Sequence, residues 1–277
     1  LQPSTSWAIR FSKRYSSLLQ TVPDINTELP ETLGNRISKF RDEFAILAHN
    51  KNLQPFSLIA IDEIPLNFTS STGSLTSKSL IRKSGFENCH ASVIIACSSD
   101  GTLLPTTLLL KSPLENVPLQ DDRSVFVLAQ VNAVNDETTI CSWFTEMSRN
   151  INYPAIIICD DFEPHKFLKK FYKQVLQEKQ IEIMLIPEGC NSKLQPICFS
   201  LSQQFKTEID IQWSRWSHDN CWSSVNGLSR SPSELDIYNW VSRAHINLFS
   251  TYKNEIQDSF IKAGYILPID PLNSEVQ

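Results

Sequence analysis

The sequence predicts an α/β fold, a mixed five-stranded sheet flanked by helices. Three observations lead there. Short apolar runs of strand length recur, and two of them end in acids. One pair of runs is joined by a tight turn as a hairpin, and helical periodicity is concentrated late in the chain. A hairpin followed by strand-helix-strand units gives a sheet with both parallel and antiparallel neighbours.

In residues 1–20, Trp7, Phe11 and Tyr15 recur at a spacing of four, with Arg10, Lys13 and Arg14 on other faces, which is a basic amphipathic helix. Residues 21–35 carry Pro23, Pro30 and Gly34 and read as a linker. Ile37, Phe40, Phe44 and Leu47 give a helix over 36–49, and an apolar run ending in Asp62-Glu63 gives a buried strand over 57–62. Residues 69–84, rich in Ser and Thr, form an exposed loop. The runs 91–97 and 103–110 pair across the turn Ser98-Ser99-Asp100-Gly101, whereas 112–135 is irregular. A helix around Trp143, Phe144 and Met147 (137–150) precedes a strand at 155–160 that ends in Asp160. A helix over 166–179 leads to a strand at 181–186 stopped by Pro187, and three more helices follow near 199–216, 233–249 and 252–263.

The chain has 277 residues, enough for one large domain or one domain with a small attachment. It begins Leu1-Gln2-Pro3-Ser4 and reads as a segment of a longer protein. No apolar run approaches the roughly 18 residues that a membrane helix needs. Seven scattered cysteines without a CxxC pair predict buried free thiols and not a disulfide framework. The formal charge of −5 is opposite to that of a general DNA-gripping surface, so DNA contact must be local or come from another domain.

Two acids at the ends of separate strands suggest a divalent-metal site, because carboxylates on neighbouring strands can converge on the hard cations used in phosphoryl transfer. An acid that ends a strand is also a common solvated turn residue, so the pattern alone leaves both readings open.

Five ordered blocks extend the reading. They are Ile59-Ala-Ile-Asp62-Glu63, Ala91 through Asp100-Gly101 to Pro105, Ile158-Cys-Asp160-Asp161-Phe-Glu-Pro-His165, Ile186-Pro187 through Gln195-Pro196, and Ile256 through Phe260 to Gly264. Together they resemble the DDE superfamily endonuclease domain of the pogo/Tigger transposases, whose relatives include centromere protein B, Jerky-type proteins and a pogo-derived zinc-finger protein. Residues 6–14 resemble the tail of that family's helix-turn-helix DNA-binding region. The resemblance implies a ribonuclease-H-like fold over 51–270, a linker and helix over 21–50, and a remnant of the DNA-binding module over 1–20, where Arg10, Lys13 and Arg14 would meet DNA.

In active members of the family, three acids bind two magnesium ions. Asp62 and Asp160 match the first two. The third position reads Gln195-Pro196-Ile197-Cys198 where the family has Gln-Pro-(Leu/Met)-Asp. A thiol with a pKa near 8.5 is mostly neutral at pH 7, and as a thiolate it is a soft ligand that suits zinc better than magnesium. Glu208 and Asp210 lie about ten residues on, roughly 15 Å along a helix, too far to substitute. Asp161, where the family has Asn, should point away from Asp160. The resemblance with this departure implies a vestigial catalytic pair, weak or absent magnesium binding with no cofactor here, and a nuclear, DNA- or chromatin-associated role with nuclear protein partners. Rival readings are an active metal-dependent nuclease or transposase and an interaction scaffold without nucleic-acid contact.

Other groups have plainer readings. His165 can cap or pack at a helix start. His218 and Cys221, with Cys190 or Cys198, are a poor zinc set, and Trp213, Trp216, Trp222 and Trp240 suit a core better than a base-stacking platform. Lys166, Lys169, Lys170 and Lys173 form a solvated stripe. Ser224, Ser229 and Ser231 have no base nearby in sequence.

Overall fold

A computed structural model describes residues 31–68, 91–111, 124–220 and 232–266. The 1–20 helix, with Arg10, Lys13 and Arg14, and the 69–84 loop lie outside the described residues, as do Cys221, Trp222, Ser224, Ser229 and Ser231.

The chain enters through helix α1 (Glu31–Lys51), which begins inside the stretch expected to be linker. Six strands follow: β1 (Leu58–Leu66), β2 (Ala91–Ser98), β3 (Thr106–Leu110), β4 (Val125–Ala129), β5 (Ala155–Asp160) and β6 (Ile181–Ile186). They lie in the order β4-β3-β2-β1-β5-β6. β1, β2 and β3 pair antiparallel, while β5 runs parallel to both β1 and β6. Those five strands are the mixed sheet that the sequence predicts. β4 is the correction: 112–135 is not wholly irregular, because Val125–Ala129 adds a sixth strand parallel to β3. Its Val-Phe-Val-Leu-Ala sequence favours a strand, but the run is only five residues long and follows a stretch of acids and prolines that reads as loop.

α2 (Glu137–Met147) starts at Asp136, whose side chain accepts from the Thr139 amide as an N-cap. The helix expected over 166–179 is two helices, α3 (Glu163–Phe171) and α4 (Lys173–Glu178), which break at Tyr172. Beyond β6, the single turns α5 (Asn191–Leu194) and α6 (Pro196–Phe199) precede the long α7 (Leu201–Asn220), α8 (Glu234–Thr251) and α9 (Lys253–Ala263). Pro164 and Pro196 both sit in a first helical turn, where the missing amide hydrogen has no helical partner to lose. No helix among the described residues is long and apolar enough to cross a membrane.

Strand alternation divides the core into two layers. Even-numbered positions of β1 and β5, such as Ala60, Ile64, Ile156 and Ile158, pack with α1 and α7–α9. Odd-numbered positions, such as Ile59, Ile61, Ile157 and Cys159, pack with Trp143 and Phe144 of α2 and with Leu168 of α3. α1 shares the first layer: Phe40 and Phe44 meet the Tyr265 ring edge-on, with centroids 6.4 and 4.8 Å away. Cys97, Cys159 and Cys190 are buried free thiols, and Cys198 is exposed.

Two glycines are fixed by close approach. Gly101, φ +88°, turns the β2–β3 hairpin where a Cβ would lie 2.6 Å from the Lys253 backbone oxygen, so the Asp100-Gly101 turn seats directly on α9. The Gln257 side-chain amide, also on α9, donates to the Asp100 carbonyl at 2.9 Å. Gly264, φ +85°, ends α9 in a left-handed cap. There Arg41 Nε of α1 donates to the Ala263 carbonyl at 2.9 Å, and a Cβ would fall 2.5 Å from that nitrogen. The next residue, Tyr265, donates its hydroxyl to the Leu194 carbonyl at 2.7 Å. Gly264→Ala is therefore expected to cost about 1–3 kcal/mol in urea denaturation, from left-handed strain together with the displaced Arg41. Tyr265→Phe should cost about 1 kcal/mol, one buried hydrogen bond.

Candidate active site

The pairing of β1 with β5 runs from Leu58 opposite Ile156 to Ala60 opposite Ile158. Two residues further along this register, Asp62 falls opposite Asp160, on the even-numbered face of both strands. The pairing ends just short of this point, and the two acids remain close enough for the charge of Asp160 to act on Asp62.

Past Ala60, β1 no longer pairs with β5, and the carbonyl of Ile61 would be orphaned. Gln195 answers it: its amide nitrogen donates to the Ile61 oxygen at 2.9 Å, with the side chain 1% exposed. That bond pins α6 to the open edge of β1 and sets Cys198 beside Asp62. The thiol points at Asp62 Oδ2 with Sγ 3.7 Å away.

Asp62 Oδ1 accepts from the Glu63 amide at 2.9 Å. Burial, followed by the charge of Asp160, nevertheless raises the Asp62 carboxyl to about 6. The Cys198 thiol, exposed at the residue level but with its sulfur turned into the pocket, is pushed up to about 12 by desolvation and by Asp62. Without a bound cation it is a neutral hydrogen-bond donor to Asp62 at physiological pH.

A second set of polar groups adjoins this pair at the ends of β1 and β5. His165, at the start of α3, reaches Asp160 with Nδ1 2.8 Å from Oδ1 and 3.2 Å from the backbone oxygen. The Oδ1 approach has ion-pair distance without hydrogen-bond alignment. His165 Nε2 lies 3.8 Å from Oε1 of Glu63, which also accepts from the Asn135 side-chain amide. Burial raises Glu63 to about 7. On His165, burial works against the charged ring, but the Cys159 sulfur, Asp160 and Glu63 overcome it and hold the imidazole well above its ordinary range.

The structure thus brings together Asp62, Asp160 and Cys198, the three positions named from sequence. The sequence reading missed Glu63, Asn135 and the role of Gln195. Strand alternation alone sends Glu63 to the face opposite Asp62, and a lone amide between Leu194 and Pro196 in a buried turn signals an unpaired backbone group close by. Asp161 turns outward to Lys166 at 3.1 Å, leaving the pocket as expected. Glu208 accepts from Asn247 of α8 at 3.0 Å and does not stand in for the third acid. The lysine stripe is split between α3 and α4, and Lys166 is engaged by Asp161 and Glu163. Trp213, Trp216 and Trp240 pack with one another and with Phe68, ring centroids 5.3 to 6.3 Å apart, as part of or against the core. His218 is exposed beside Asp219.

Among the described residues, no group of three or more His, Cys, Asp and Glu side chains has an arrangement that would hold a metal ion. Two magnesium ions call for a shared set of hard oxygens. Two carboxylates facing a neutral thiol do not supply it, so the donor set does not fit that pair of ions.

Residues 90–260 match the family described as DDE superfamily endonuclease. The human protein "Pogo transposable element with ZNF domain" is 22% identical over 222 residues, covering 78% of this chain; the chain spans 16% of that relative's length. Among solved structures, the Mos1 transposase catalytic domain with Raltegravir and Mn is 11% identical, with a TM-score of 0.45, covering 86% of this chain and 95% of that one. The Mos1 transposase paired-end complex with left transposon end is 11% identical, with a TM-score of 0.44, covering 92% and 70%.

The raised acids have a consequence for stability. Asp62 and Glu63 titrate higher in the folded chain than in the unfolded one, so between about pH 4 and 7 the native state binds more protons. His165, raised as well, acts in the same direction above its ordinary value near 6.5. The stabilisation these groups give is complete at low pH and is lost as pH rises. The lowered groups Asp100 and Asp136 act oppositely, and their contribution is lost only below about pH 4. Urea midpoints are therefore expected to fall from pH 4.5 to 7.5. Asp62→Asn should flatten that fall by an amount on the order of 1–2 kcal/mol.

Proposed function

Since this chain belongs to the DDE superfamily endonucleases, we propose that it is a pogo-type transposase-derived domain that has lost metal-dependent strand cleavage and serves a DNA- or chromatin-associated role in the nucleus. The observation that carries this reading is the sulfur of Cys198 placed 3.7 Å from Asp62, at the position of the family's third acid. The substitution removes one negative charge and one pair of hard oxygens together. In their place Asp62 has a weak thiol donor, Cys198, and no third carboxylate.

The DNA grip, on this reading, lies in the segment around Arg10, Lys13 and Arg14 and in parts of the longer protein, since the chain as a whole carries −5. Nuclear proteins are its further partners.

The decisive experiment restores the acid. The native chain is expected to show no magnesium- or manganese-dependent nicking of supercoiled plasmid. Cys198→Asp should raise manganese affinity by about tenfold or more in calorimetry, since one full charge and a hard ligand return. Adding Asp62→Ala should abolish that gain. Asp62-dependent nicking by the native chain would overturn the reading of inactivity. The DNA role is tested separately by salt titration of duplex binding. Replacing Arg10, Lys13 and Arg14 by Ala should weaken binding to all sequences and reduce the salt slope by about three.

A further inference from the structure

α3 and α4 carry four lysines against two glutamates between Glu163 and Glu178, a local charge opposite in sign to the −5 of the whole chain. The same helices carry an aromatic ring that the core does not take. Pro164, His165 and Leu168 face inward, which leaves Phe167 and Phe171, one turn apart, together on a flank of α3. Their rings stack with centroids 4.3 Å apart and planes 29° apart, and Phe171 is 61% exposed. A lone exposed apolar side chain needs no explanation. This ring differs, because it is held in a stack and bordered by cations, and so offers a fixed apolar face beside positive charge.

The lysines are not equivalent. Lys166 is held by Asp161 at 3.1 Å and by Glu163 at 3.0 Å. Lys170 Nζ lies 5.1 Å from the Phe171 ring centroid, and Lys173 follows three residues on. Both are exposed, and among the described residues neither has an acid within ion-pair distance. Nearby acids are largely engaged: Glu178 accepts from Gln174 at 3.0 Å, and Glu146, in the groove that Phe167 shares with α2, pairs with Arg149 at 2.7 Å. Glu137 also lines that groove and directs a polyanion to the lysine side of the rings.

We propose that Phe171, backed by Phe167, is a stacking platform for an unpaired base of a single-stranded nucleic acid, whose flanking phosphates meet Lys170 and Lys173. Every base has a π-face, so the site is indifferent to sequence. A duplex, whose bases are stacked on one another, cannot use the ring. The contact of Lys170 with Phe171 is an exposed cation–π pair, weaker than base stacking, so the ammonium yields the ring face and moves to phosphate. Phe167 to Lys173 covers about 9 Å of helix, so the footprint is a few nucleotides. This site goes beyond the reading above, which places a duplex grip at Arg10, Lys13 and Arg14, and it stands whether or not cleavage is lost.

The test uses the whole chain with Arg10, Lys13 and Arg14 replaced by Ala, so that no duplex grip there masks the platform. A short fluorescein-labelled oligothymidylate is followed by anisotropy. Saturable binding is expected, weakened about tenfold by Phe171→Ala, the loss of one base stack, and preserved by Phe171→Trp. Lys170→Gln and Lys173→Gln should each reduce the salt slope by about 0.7, one phosphate contact on a single strand. Lys169 lines a separate hollow with Arg36 and Lys39. At physiological salt, where distant charges are screened, Lys169→Gln should leave binding nearly unchanged. An oligouridylate run in parallel tells DNA from RNA, and Phe171-dependent binding of either supports the site. No saturable binding, equal binding of an abasic strand of the same length, indifference to Phe171→Ala, or a loss from Lys169→Gln as large as from Lys170→Gln would each overturn the proposal. So would sedimentation showing a dimer that Phe171→Ala dissolves, which would give the ring to a second copy of this chain.

Discussion

The site depends on the place where β1 and β5 part. Pairing through Ala60 and Ile158 fixes the register, so Asp62 and Asp160 need no side-chain contact to be brought together. The parting creates a liability at the Ile61 carbonyl. An unpaired buried carbonyl costs about 1–3 kcal/mol, and Gln195 removes that cost while anchoring α6. α9 then packs on α6, and Tyr265, just past α9, donates to the Leu194 carbonyl. One backbone vacancy on β1 thereby organises the elements between Leu194 and Tyr265.

The same arrangement explains what a cysteine at position 198 does for the fold. Burial first, and then the charge of Asp160, push Asp62 up to about 6. A third carboxylate would add to that charge and would need a cation to relieve it. A neutral thiol adds no charge and gives Asp62 a weak donor. The domain can fold around this pocket without a bound cation as a structural member.

Much of this was legible in the sequence. The hairpin, β5 and β6 followed from apolar runs bounded by turn and breaker residues, and the strand-terminal acids marked the pocket. The strand β4 was hidden because five residues after a polar, proline-containing stretch give too short a pattern. The break at Tyr172 was hidden because Phe167, Leu168, Tyr172, Val175 and Leu176 keep an apolar periodicity through it. Gln195 and Asn135 were hidden for another reason: each acts by satisfying a distant group, Ile61 or Glu63, and no local periodicity encodes such a partner.

The polar groups at the ends of β1 and β5 separate the presence of the two acids from the chemistry they serve elsewhere in the family. Asp160 is engaged by His165, a residue 1% exposed, which also approaches Glu63. Removing the Asp160 carboxylate would leave that imidazole buried beside Glu63 with its Nδ1 facing only a backbone oxygen, a costly state in a low-dielectric interior. Asp62 is likewise bound to the Glu63 amide and to Cys198. Both acids thus have structural partners that persist without any metal. A chain that no longer cuts DNA would still be under physical pressure to keep them, and their presence alone carries no information about catalysis. The informative position is Cys198, whose side chain is exposed and meets Asp62 where the family carries its third acid.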